Sequence, residues 1–136
     1  MYVADHEDTL LPVNAPDELV AHLRSVRKGP YGAFILWHGD NPDAVTGPSL
    51  FVHMNNDLAY LWFVADPNGD HPGFQPTGMA PADCPERVHF VQTDGFEEAG
   101  ITMDRNWLVS VDVAYEAAAE FLKEPVLPAS IEWFEL

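Results

Sequence analysis

Cysteine occurs once in 136 residues, as Cys84, so no disulfide can form within the chain, which fits a reducing compartment. Cations are almost as scarce. Six Lys and Arg face 22 Asp and Glu, a formal net charge of −16 at pH 7. A field of that sign repels phosphates and anionic headgroups, which excludes direct binding to nucleic acid or to a membrane surface. No apolar run approaches the roughly 20 residues that a membrane span needs. Met1 to Asp8 has neither a basic n-region nor an apolar h-region, so it is not a signal peptide. These absences predict a cytoplasmic protein.

The usual carriers of chemistry are missing too. There is no Gly-x-Ser-x-Gly elbow and no Gly-rich phosphate cradle. Cys84 sits between Asp83 and Pro85, with Glu86 next, and nearby carboxylates raise a thiol's pKa and blunt its reactivity. Histidines stand at 6, 22, 38, 53, 71 and 89, without the His-x-His or His-x3-His spacing that puts two ligands on one face. Only His38-Gly39-Asp40 and Asp70-His71 bring a carboxylate near one of them. Asp66-Pro67-Asn68-Gly69-Asp70 has the outline of a calcium loop but lacks its bidentate Glu, and Pro67 disturbs it, so it reads as a plain turn. The expectation is a protein that is not an enzyme, with no metal and no cofactor.

What is present is 47% apolar residues, enough for a packed core, and 12 prolines and 9 glycines, which imply many turns. Asn14 is placed to cap a helix, with Pro16, Asp17 and Glu18 in its first turn and Leu19, Val20, Leu23 and Val26 along one face. Arg24, Arg27 and Lys28 fall in its last turn, before Gly29-Pro30. Ala33 to Trp37 reads as a strand, and Leu10-Leu11 as the start of a short one. Leu50 to Met54 and Leu58 to Val64, joined by Asn55-Asn56-Asp57, read as a hairpin. Asp66 to Pro85 is a long loop with five prolines and three glycines, of the length that often carries function. Arg87 to Gln92 and Trp107 to Val111 are further strands, and Thr93 to Gly100 is a turn region. Ser110 or Asp112 can cap a second helix, whose Val113, Ala117 and Phe121 share a face and which Pro125 ends. Ile131 to Phe134 closes as a short strand. The prediction is an α+β fold in one domain spanning 1–136. A mostly antiparallel sheet of about five or six strands carries an N-terminal and a C-terminal helix packed on it. The four tryptophans, at 37, 62, 107 and 133, all fall in predicted strands and read as core.

One stretch resembles a known family. Val109-Ser110-Val111-Asp112, the Ala-rich helix to Phe121, Leu127-Pro128 and Ile131-Glu132-Trp133 follow the order seen in the immunity-protein family Imm-one, found beside polymorphic toxins in bacteria. The hairpin strand Leu58 to Phe63, with Gly73-Phe74 and Gly78 after it, looks like that family's middle section. The likeness covers about half of the chain. It departs where Pro125 stands in place of a glycine after the helix. The resemblance implies a protein that neutralises a cognate toxin, often a nucleic-acid deaminase, by binding it.

A toxin acting on nucleic acid needs a basic substrate site, and an acidic protein can occlude it. For that contact the long loop comes first, with Asp66, Asp70, His71 and Phe74 combining charge with an aromatic anchor. Glu97 and Glu98 come second. From Gly29 to Glu86 there is no Lys or Arg to pair the acids. Two alternatives stay open: an acidic nucleic-acid mimic that inhibits another enzyme, and a small-ligand-binding or enzymatic α+β domain around His38, His53 and His71.

Overall fold

In the computed structural model, residues 1–5, 10–25, 27, 29–39, 45, 47–90 and 100–136 are described. The centre of the molecule is three seven-residue strands, β3 (Tyr31–Trp37), β4 (Ser49–Asn55) and β5 (Leu58–Val64), paired antiparallel along their whole length. The β4–β5 turn places Asn56 at φ +53°, a left-handed conformation that Asn tolerates better than most residues. β1 (Tyr2–Asp5) and β2 (Leu10–Pro12) extend the sheet beyond β3. β6 (Phe74–Pro76) and β10 (Trp133–Glu135) extend it beyond β5. The strand order is β10-β6-β5-β4-β3-β1-β2, and β9 (Val109–Ser110) pairs the start of β5. β7 (Arg87–Phe90) and β8 (Ile101–Asp104) form a separate antiparallel pair.

Side chains alternate across the central strands, and both faces are buried. One face presents Phe34, Leu36, Leu50, Val52, Met54, Leu61 and Phe63. These share a cluster with Leu19 and Leu23 of α1 (Pro16–Ser25) and with Ala114, Ala117, Ala118 and Phe121 of α2 (Val111–Lys123). The other face presents Leu58, Tyr60 and Trp62 to Val88, Phe90, Cys84 and Leu108. Phe34, Phe90 and Phe121 are essentially inaccessible, each contributing on the order of 2–3 kcal/mol by burial. Two-sided burial explains why Ala59 to Val64 is a continuous apolar run rather than an alternating one.

The α+β class and the antiparallel sheet agree with the sequence expectation, but the strand count does not. Ten strands occur among the described residues, and β1, β6 and β8 lie outside the predicted ones. Each is only three or four residues long and earns its place by pairing with a distant partner, not by local pattern. Trp107 sits in a 3-10 turn, Arg105–Trp107, because the Asp104 side chain accepts a hydrogen bond from Asn106 N. The predicted strand there shrinks to Val109–Ser110. In α1, Leu19 N donates to Ala15 O, which moves the cap position from Asn14 to Ala15. The helix stops at Ser25, and Arg27 turns back to donate to the carbonyls of Pro30 and Asn56. Val26 and Lys28 lie outside the described residues.

For α2 the cap is decided. Ser110 Oγ accepts from Val113 N at 3.2 Å, while Asp112 is exposed in the first turn. Ser110→Ala is therefore expected to cost about 1 kcal/mol in urea unfolding. Asp112→Ala should cost no more than a few tenths, from its favourable place at the positive end of the helix dipole.

Candidate functional site

The segment after β5 is a built loop. Asp66 Oδ1 accepts from Asn68 N at 2.9 Å, and Gly69 N donates to Asp66 O, so residues 66–69 close as an Asx-type turn. Trp62 Nε1 donates to Pro72 O at 2.8 Å. Gly73, at φ +104°, follows. A Cβ there would lie 2.5 Å from both Phe63 O and Trp62 Nε1, so no other residue fits without displacing β5. Leu136 N donates to Gly73 O, which ties the loop to the C-terminal segment.

The expected site residues divide across this loop. Asp66 and Asp70 are exposed at its tip. His71, itself exposed, lies along the sheet edge. Its Nδ1 accepts from Gly73 N at 2.9 Å, which leaves the proton on Nε2 to donate to Glu135 Oε1 at 2.7 Å. Both side chains are well exposed, so this contact contributes less than about 1 kcal/mol and orients the loop more than it holds it. Phe74 opens β6 and packs edge-on to Phe63, with the His71 ring stacked on its outer side at 5.1 Å. His71 and Phe74 therefore dock the loop onto the protein itself. Glu97 and Glu98 lie outside the described residues. Of the residues that fix the loop, Trp62 reads from the sequence only as core and Gly73 only as part of the family resemblance, and Glu135 is not singled out at all. Gly73 follows Pro72 as any turn residue does, and Glu135 is 64 positions from His71.

Elsewhere, burial pushes the His53 imidazole down to about 4, with a backbone hydrogen bond to Tyr60 acting the other way. His53 Nδ1 has no partner among the described residues. Across the strand pair, Tyr60 is pushed up to about 12 by burial, and its hydroxyl donates to Gln75 Oε1 at 3.0 Å. His38, in contrast, contacts Phe121 O at 2.6 Å beneath α2, so the three central histidines do not converge. A cleft of about 490 Å³ lies between the β4–β5 turn and β7, lined by Asn55, Asp57, Asp83, Cys84, Arg87 and His89 among others. Burial raises the Cys84 thiol pKa; Arg105 lowers it and Asp83 raises it further. Its Sγ–H donates to Pro85 O. That arrangement keeps the thiol protonated and poor as a nucleophile at neutral pH. Among the described residues no group of three His, Cys, Asp or Glu is placed to hold a metal ion, and no helix is long and apolar enough to cross a membrane.

Charge is the most pronounced property of the surface. Among the described residues the one acid–base contact within 4 Å is His71–Glu135. Three of the four arginines are engaged elsewhere: Arg24 over the Tyr115 ring, Arg27 on the Pro30 and Asn56 carbonyls, Arg105 on the Pro81 carbonyl. No family model matches the chain, and no curated protein matches it.

Two outcomes follow from the buried groups. His53 has a folded pKa of about 4 against 6.5 when exposed, so the unfolded chain binds the proton first as pH falls. The stability is fully present above pH 6.5 and is lost progressively down to about pH 4, by about 3 kcal/mol. His53→Phe should flatten that part of the urea-midpoint profile. Gly73→Ala should cost about 2 kcal/mol or more, through the close contacts at Phe63 and Trp62, and loosen the 66–73 loop to proteolysis.

Proposed function

We propose that this protein is a binding protein that neutralises a basic toxin, in the manner of an immunity protein, and that it works in the cytoplasm of the cell that makes the toxin. The observation that supports the reading is the excess of negative charge, which among the described residues meets one acid–base contact, His71–Glu135. A net −16 held on a sheet buried on both faces, with arginines turned to carbonyls and a ring, projects outward as a field. Such a field accelerates encounter with a cationic surface and disfavours wrong partners. A toxin that acts on nucleic acid, such as a deaminase, carries a cationic substrate site by necessity. Occlusion needs no catalytic group on the inhibitor. It needs a stiff acidic surface of roughly 800 Å² with a few central contacts.

Asp66 and Asp70 are the first contacts in this reading. Both are exposed, and both stand on a loop fixed by Trp62, Gly73 and the His71–Glu135 contact. Pre-fixing the loop reduces the ordering cost of binding.

The test needs a toxin gene beside this one, and a solitary locus counts heavily against the reading. Nanomolar inhibition of that toxin is expected, with an association rate that falls as salt rises from 0.05 to 0.5 M through screening, over roughly a 14 to 4 Å Debye length. Reversing both charges (Asp66→Lys with Asp70→Lys) should weaken binding at least about tenfold, mostly by slowing association; the melting temperature should fall only by the loss of the Asn68 N–Asp66 Oδ1 bond, and Asp70→Lys alone should leave it unchanged. An association rate indifferent to salt, or full affinity after the reversal, sinks the electrostatic reading.

A further inference from the structure

Among the described residues β10 forms one edge of the eight-stranded sheet. Its pairing fixes which backbone groups are used. Thr77 N donates to Glu132 O and Leu136 N donates to Gly73 O, while Phe134 stands opposite Gln75. Antiparallel pairs alternate, so positions 132, 134 and 136 turn their N–H and C=O toward β6. Those of Trp133 and Glu135 point outward, away from the sheet. Edges of this kind are usually guarded by charge, by proline or by a bulge. β10 is short and carries exposed carboxylates, but it also exposes Phe134 at 47%, and Leu136, just beyond it on the same face, at 44%. Phe134 does not hang free, because its ring lies 5.2 Å from Trp107. That holds an anchor in place beside the open backbone. Carboxylates flank it: Glu132 is exposed at one end and Glu135 stands on the opposite face.

We propose that β10 is a docking edge that takes an extended, basic segment of a partner protein as an added strand. Backbone pairing at Trp133 and Glu135 gives register, Phe134 and Leu136 give an apolar seat on one face, and Glu135 on the opposite face selects for Lys or Arg at alternate positions. A second copy of this chain is the poorer occupant. Pairing two β10 edges would bring Glu132 and Glu135 of each copy together and add two molecules of charge −16. The inference deepens the toxin-neutralising reading and rests on it for the partner's identity alone.

The probe is the peptide acetyl-Lys-Val-Lys-Val-Lys-Val-amide, titrated into the isotope-labelled full chain and followed by amide NMR. The amides of Trp133 and Glu135 should shift saturably and gain protection from exchange. Phe134→Ala should weaken binding about tenfold and Phe134→Leu should restore most of it, with both variants folded by their amide spectra away from β10. A peptide N-methylated at alternate residues should fail to bind. The proposal is overturned if no amide responds, if the response maps to Asp66 and Asp70 alone, if the N-methylated peptide binds equally, or if sedimentation shows dimers joined at β10. The two readings fail separately. A chain that takes the peptide at β10 but neutralises no toxin removes the toxin reading. A chain that neutralises the toxin with its β10 amides unprotected in the complex removes the docking edge.

Discussion

The structure depends on β3, β4 and β5 being covered on both sides. A strand buried on one face can tolerate polar residues on the other; in these three the buried polar side chains are only Ser49 and His53 of β4. Their pairing is complete over seven residues, and each face meets a different partner layer. A slip of one residue would send Leu50, Val52 and Met54 to the side that faces β7 and β8, and would bring His53 under the helices. Register is therefore the constraint, and the short Asn56-Asp57 turn sets it, with Asn56 accepting the left-handed backbone that the turn requires. Once register is fixed, the places of α1, α2 and the β7–β8 pair follow, because each has one apolar surface and one complementary face to put it on.

Covering both faces also decides what the surface is made of. Apolar side chains are consumed inside, so the outer shell holds the polar residues, and among the charged ones carboxylates outnumber Lys and Arg by 22 to 6. Few of the cations offset them locally. Arg27 closes the chain reversal after α1 by donating to two carbonyls, a structural task. Self-repulsion from such a surface destabilises the compact state, and the two buried clusters are what outweigh it. Stiffness and charge are linked in this way: the core that tolerates the field is the same one that holds the field in a fixed shape.

Much of this was legible in the chain. The period of Val113, Ala117 and Phe121 located α2, and the apolar runs around Asn55-Asn56-Asp57 located the hairpin, since both signals are local. β1, β6 and β8 were not legible, because a three- or four-residue strand exists only through its neighbour. The same limit applied to the loop. Asp66 and Asp70 are exposed, as a charged turn suggests, and Asp66 also closes that turn. His71 and Phe74 looked like anchors for a partner, yet their contacts are with Glu135, Gly73, Phe63 and each other. A charged and aromatic cluster in a loop has the same composition whether it faces outward or docks inward, and the difference lies in residues more than sixty positions away.

That inward docking bears on how recognition would be divided. The loop tip and the β10 edge are tied to one another through Glu135 and through the bond from Leu136 N to Gly73 O. Under the proposed function they form a continuous acidic margin with two kinds of contact. Charge at Asp66 and Asp70 acts over about a Debye length and governs how fast a cationic surface arrives. Backbone groups at Trp133 and Glu135 act only within hydrogen-bond distance and govern whether what arrives is an extended segment in the right register. Steering alone would accept any basic protein, and an edge alone would accept any loose strand. Placed side by side on one rigid sheet, they demand both properties of the same partner, which is how a specific interface arises from individually unspecific contacts.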